Sequence, residues 1–148
     1  LATFVAYAIS LLVVAILWVN HHHVMSRVAS VDGPLLWWNN LLLFWMSLVP
    51  FCTAYLGEHP LRTVPVAAYG ADLCACSTSF WILRTSIAAR DEETPTLHRH
   101  PLRKNAGAAL LYAISVPLAW CSPFASFLVF LAVPALYFMP QRGLEEAK

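Results

Sequence analysis

The sequence predicts an all-α integral membrane protein, one transmembrane helical domain over residues 1–148. Three observations carry this reading. Hydrophobic residues make up 59% of the chain and charged residues 11%, whereas a soluble domain is about a quarter charged. Mean hydropathy is +0.63. The apolar residues are gathered into five long runs, and a helix needs about 20 residues to cross the hydrocarbon core of a bilayer.

The first run, residues 2–20, closes on Leu17-Trp18-Val19-Asn20-His21-His22-His23. The second covers 35–56 and opens on Trp37, Trp38, Asn39 and Asn40. The third, 64–89, is less pure, with Asp72, Ser77, Thr78 and Ser79 inside it. The fourth and fifth, 106–120 and 124–139, are short and separated by Cys121-Ser122-Pro123. Ser122 suits an N-cap and Pro123 a first helical turn, so these two runs read as a tight hairpin. Pro50, Pro117 and Pro134 are expected to kink their helices. The stretch 90–104, RDEETPTLHRHPLRK, reads as a polar cytoplasmic loop.

Basic residues in the connections set the orientation. Of the nine Lys and Arg residues, only Arg62 falls on the side that receives the loop after the second span. The other side is therefore expected to be cytoplasmic, with the C-terminus inside and residue 1 outside. An external start inside an apolar run is hard to insert, so one further span upstream is expected. That makes six spans in the complete unit, in a multi-pass protein of the cell membrane.

The remaining polar residues narrow the function. No basic block tracks phosphates, so a nucleic-acid partner is not expected. Cys52, Cys74, Cys76 and Cys121 lie in apolar runs and read as small hydrophobes. His21, His22 and His23 fan out by about 100° per residue and lack the i, i+4 spacing of helical zinc pairs, so no metal is expected. His98 and His100 flank Arg99 with no third ligand nearby. No catalytic triad order, glycine-rich phosphate loop or paired carboxylates are present, so an enzyme is not expected. Two features remain. Trp18, His21, His22 and Asn39 stand at one depth on adjacent spans, where Asn and His hydrogen-bond between helices. Asp72 is a carboxylate well inside a span, which reads as a structural polar contact or an ion- or proton-path residue.

Four blocks then share a pattern: Trp18-x-x-His21-His22, Leu35-Leu36-Trp37-x-Asn39, Ser47-Leu48-x-Pro50-Phe51 and Thr53-Ala54-x-Leu56-Gly57-Glu58. With Tyr69-Gly70, they resemble the transmembrane protein 175 potassium channels, densely from about Thr3 to Tyr69. The resemblance runs from the family's second helix onward. It implies a six-helix unit, a homotetramer and a pore lined by a first helix carrying Arg-x-x-x-Phe-Ser-Asp, a motif this sequence lacks. It also implies that Trp18, His21 or His22, and Asn39 hold that helix through hydrogen bonds. The reading is a potassium-permeable channel subunit, with potassium as permeant ion and no cofactor. A proton-coupled transporter or proton leak using Asp72, and a non-conducting structural membrane protein, stay open as alternatives.

Overall fold

A backbone surrounded by lipid has to satisfy its own N–H and C=O groups, and a helix does so within one segment. The computed structural model describes residues 2–26, 28, 31–90 and 95–138, and all their regular structure is α-helical. The five helices are α1 (Ala2–Met25), α2 (Gly33–Glu58), α3 (Thr63–Ala88), α4 (Pro95–Cys121) and α5 (Pro123–Phe138). The all-helical class expected from the sequence is thus observed. At 26 residues each, α2 and α3 span about 39 Å at 1.5 Å per residue. Both are long and apolar enough to cross a membrane.

Two helix ends differ from the sequence expectation. The first helix continues through all three His to Met25. The fourth begins at Pro95, so 95–104, read from the sequence as loop, is helical. Hydropathy marks where a helix enters lipid, not where its hydrogen bonds start, and a polar segment can extend a helix beyond that edge.

The packing follows a seven-residue seam. On α3 the buried residues Val66, Tyr69, Leu73, Cys76, Phe80, Leu83 and Ile87 alternate steps of three and four. On α2, Leu35, Leu42, Val49 and Leu56 repeat every seven and are buried. Such spacing keeps one face of each helix turned to its neighbour along its whole length. Helix α1 packs on α2, α2 on α3, and α3 on both α4 and α5. The third helix is therefore the centre of the bundle.

Several polar groups on the packing faces find partners. Ser126 Oγ donates to the Ser115 carbonyl at 2.8 Å, tying α5 to α4. Ser115 Oγ donates within its own helix to the Tyr112 carbonyl at 2.7 Å. Between α4 and α5, Ser122 Oγ accepts from Ala125 N at 3.3 Å, as an N-cap does. Gly70 permits the close approach of α4 and α5 to α3. A Cβ there would meet Ser115 Oγ at 2.9 Å and the Phe130 ring at 3.2 Å.

Asp32 joins the start of α2 to the end of α3. One carboxylate oxygen caps α2 by accepting from Leu35 N at 3.0 Å. The other accepts from Arg90 at 2.6 Å. A second Arg90 nitrogen donates to the Ser86 carbonyl. The Arg90 guanidinium, then the Leu35 N–H, hold the Asp32 carboxyl below its ordinary value of 3.8.

Two outcomes follow. Gly70→Ala should lower stability by about 1–3 kcal/mol through overpacking, while Gly107→Ala, with nothing within 4 Å of the added Cβ, should be neutral or up to about 1 kcal/mol stabilising. Thermal unfolding in detergent reads both. The Asp32 carboxyl is depressed in the folded state, so its contribution is present above 3.8 and is lost as pH falls through the lower folded value. In acid titrations followed by circular dichroism, Asp32→Asn should therefore unfold with a shallower loss of stability below about pH 4 than the parent.

Candidate functional site

The polar cluster at the α1–α2 seam is built from helical spacing. Trp18 and His21 are three apart and share a face of α1. Their rings lie 5.5 Å apart at 32°. His21 is 7% exposed, whereas Trp18 is 53% exposed and covers the imidazole from outside. From α2, six residues into the helix, Asn39 meets the ring, with His21 Nε2 and Asn39 Oδ1 2.6 Å apart. An amide oxygen only accepts, so Nε2 carries the proton and donates. The second ring nitrogen, Nδ1, is buried and has no hydrogen-bond partner among the described residues. In a neutral imidazole with Nε2 protonated, Nδ1 is an acceptor.

The other polar residues of this end turn elsewhere. His22 and His23 are exposed, their rings 6.4 Å apart. Of the two His placed here by the sequence pattern, His21 meets Asn39 and His22 does not. Asn20 folds back to donate to the Ile16 carbonyl at 2.8 Å. Trp37 is 76% exposed and Asn40 is exposed. Among the described residues no three His, Cys, Asp or Glu side chains are grouped to hold a metal ion.

Asp72 lies apart from this cluster, in the other half of the bundle. It is 4% exposed, and neither carboxylate oxygen has a hydrogen-bond partner among the described residues. Its electrostatic neighbours are Cys52 of α2 and Tyr69 and Cys76 of α3. Thr53, near the end of α2, donates to its own Val49 carbonyl at 2.7 Å. The site residues gathered from the sequence therefore form one cluster, Trp18–His21–Asn39, with His22 outside it and Asp72 separate.

One polar link escaped sequence reasoning. The Asp32-Gly33-Pro34 order is a helix-start signal. Its pairing with Arg90 spans 58 positions and leaves no local trace.

The described residues form an all-helical bundle in which two helices are long and apolar enough to cross a membrane and a part-buried His–Asn hydrogen bond joins α1 to α2. Comparison with known proteins identifies the kind. The family described as endosomal/lysosomal potassium channel TMEM175 matches residues 1–50, which hold α1, most of α2 and the whole Trp18–His21–Asn39 cluster. A potassium channel of Chryseobacterium sp. (strain P1-3) is 30% identical over 149 aligned positions, covering 99% of this chain and 78% of the relative. A potassium channel of Chamaesiphon minutus is 36% identical over 60% of the chain and 45% of the relative. One of Streptomyces collinus is 40% identical over 55% of the chain and 41% of the relative. No solved structure matches. The chain belongs to the TMEM175 family.

A double-mutant cycle tests the seam. His21→Ala and Asn39→Ala should couple by about 0.5–1.5 kcal/mol, the net worth of one hydrogen bond. His22→Ala with Asn39→Ala should be additive in the same unfolding measurement.

Proposed function

We propose that this chain is the greater part of a potassium-permeable channel subunit of the cell membrane, assembled as a homotetramer. The observation that carries the proposal is likeness over 99% of the chain to a relative named as a potassium channel. All five helices cross the bilayer, with the basic connections and the C-terminus on the cytoplasmic side. The pore is lined by a helix other than α1–α5. The family resemblance gives that helix an Arg-x-x-x-Phe-Ser-Asp motif, and the His21–Asn39 pair is its socket. The buried Nδ1 acceptor suits a guanidinium donor, and leaving such a charge unpaired in lipid is costly. The only ligand is the permeant potassium ion.

A second reading rests on Asp72, whose buried carboxylate has no partner among the described residues. A proton pathway through the bundle would use it.

Potassium flux into proteoliposomes separates the readings, using the chain extended upstream in its own reading frame. The channel reading expects flux that falls at least tenfold in His21→Ala, as about 1.4 kcal/mol of lost positioning would produce, and that survives Asp72→Asn. Flux of protons alone, abolished by Asp72→Asn, establishes the second reading instead. An assembled, extended protein that passes neither ion leaves a structural membrane protein.

A further inference from the structure

Asp72 lies nine residues past the start of α3 at Thr63 and sixteen before its end at Ala88, about 14 Å and about 24 Å along the axis. It is 4% exposed, and both carboxylate oxygens lack a hydrogen-bond partner among the described residues. The titratable groups that face it are Cys52 from α2 and Tyr69 and Cys76 from α3 itself. None of the three carries a positive charge. From α4 and α5, the other helices packed on α3, no titratable or charged side chain among the described residues faces it. The nearby hydroxyls are committed elsewhere. Thr53 donates to the Val49 carbonyl at 2.7 Å, and the Tyr69 hydroxyl lies toward Thr53. A cleft of about 60 Å³ beside α1 is lined from α3 by Leu73, Cys76, Ser77 and Phe80, and not by Asp72.

We propose that Asp72 is a proton-binding site that latches α2 to α3: the neutral acid packs between the two helices, and loss of its proton parts them at Cys52 and admits water. Charge and space select the occupant. A carboxylate without a partner in a helix interface is costly, the more so within lipid. One positive charge removes that cost. Hard cations gather about six oxygen ligands, which two thiols and a committed Thr53 hydroxyl do not supply. A proton needs neither room nor a ligand shell, and it turns the group into an uncharged acid. Raising the pH removes it, and the carboxylate that remains draws water. The α2 side yields first. Helices α4 and α5 close on α3 at Gly70, whereas the ion pair between α2 and the end of α3, Asp32 to Arg90, stands at the far end of both helices from the turn that joins them. The site concerns the packing of α2 on α3 alone, so it stands whichever ion the complete protein passes.

The test is thiol labelling by a water-soluble maleimide in detergent micelles, read by peptide mass spectrometry. Cys121 is exposed and serves as the internal standard for Cys52, which is buried. From about pH 6 to about pH 9, labelling of Cys52 relative to Cys121 should rise by up to about tenfold per pH unit, the slope of an opening linked to the loss of one proton. In Asp72→Asn, which keeps the shape of the neutral acid, the ratio should stay low throughout. Circular dichroism checks that the variant folds, and Asp72→Ala takes its place should it not. Infrared spectroscopy of the parent reads the proton directly, as a carboxylic-acid carbonyl band at about pH 6, where ordinary carboxyls are ionised. That band should fade over the same pH range in which Cys52 becomes reactive. A labelling ratio independent of pH in the parent overturns the proposal, as does an equal rise in parent and variant, or an acid band already absent at the lower pH. Proton flux that needs Asp72, with Cys52 labelling unmoved by pH, overturns the latch and favours the pathway reading. Labelling that follows Asp72 in a protein that passes no ion supports the site while overturning the channel reading.

Discussion

The close approach of α4 and α5 to α3 is the constraint on which the bundle depends. The third helix touches three of the other four, and it does so because position 70 has no side chain to hold the neighbours away. Phe130 and Ser115 occupy the space a Cβ would need. Between apolar helices in lipid there is no hydrophobic drive to associate, so van der Waals contact at short range carries the packing. Tyr69, beside Gly70, completes the contact by meeting the Phe130 ring edge-on at 5.1 Å. The hydroxyl link from Ser126 to Ser115 then fixes α5 against α4 at the same level. A small residue, an aromatic edge and one interhelical hydrogen bond thus hold one half of the molecule.

The other half is held by polar contacts. Several hydroxyls on the helices bond within their own helix, as Ser10, Ser47, Thr53 and Thr85 do. These satisfy the side chain but join nothing. Among the described residues, two side-chain pairs instead join elements distant in sequence: His21 to Asn39 and Asp32 to Arg90. Both involve α2, one toward α1 and the other toward the end of α3.

Much of the fold was readable because its signals are local. The apolar runs mark the helices that contain them, each from its own residues. The start of α4 was not readable, because residues 95–104 are polar and their helicity has no hydrophobic signature. The cluster of Trp18, His and Asn39 was legible from matched depth on adjacent helices. Which His meets Asn39 was not, since neighbours on a helix differ by about 100° and the choice depends on how α1 is turned against α2. Arg90 and the cleft beside α1 were missed for a related reason. Both arise from contacts between helices, and no single segment records them.

Asp32 has a geometric consequence beyond its two bonds. It is the N-cap of the helix that carries Asn39, seven residues ahead of it, with extended backbone. One oxygen grips the first turn of α2 while the other is anchored to the end of α3. Together the two bonds oppose rotation of the helix about its long axis. A rotation by a single residue step would carry Asn39 away from α1 and break the anchor to Arg90 together. The ion pair at the rim and the part-buried His21–Asn39 contact deeper in the seam thus favour one and the same azimuth of α2.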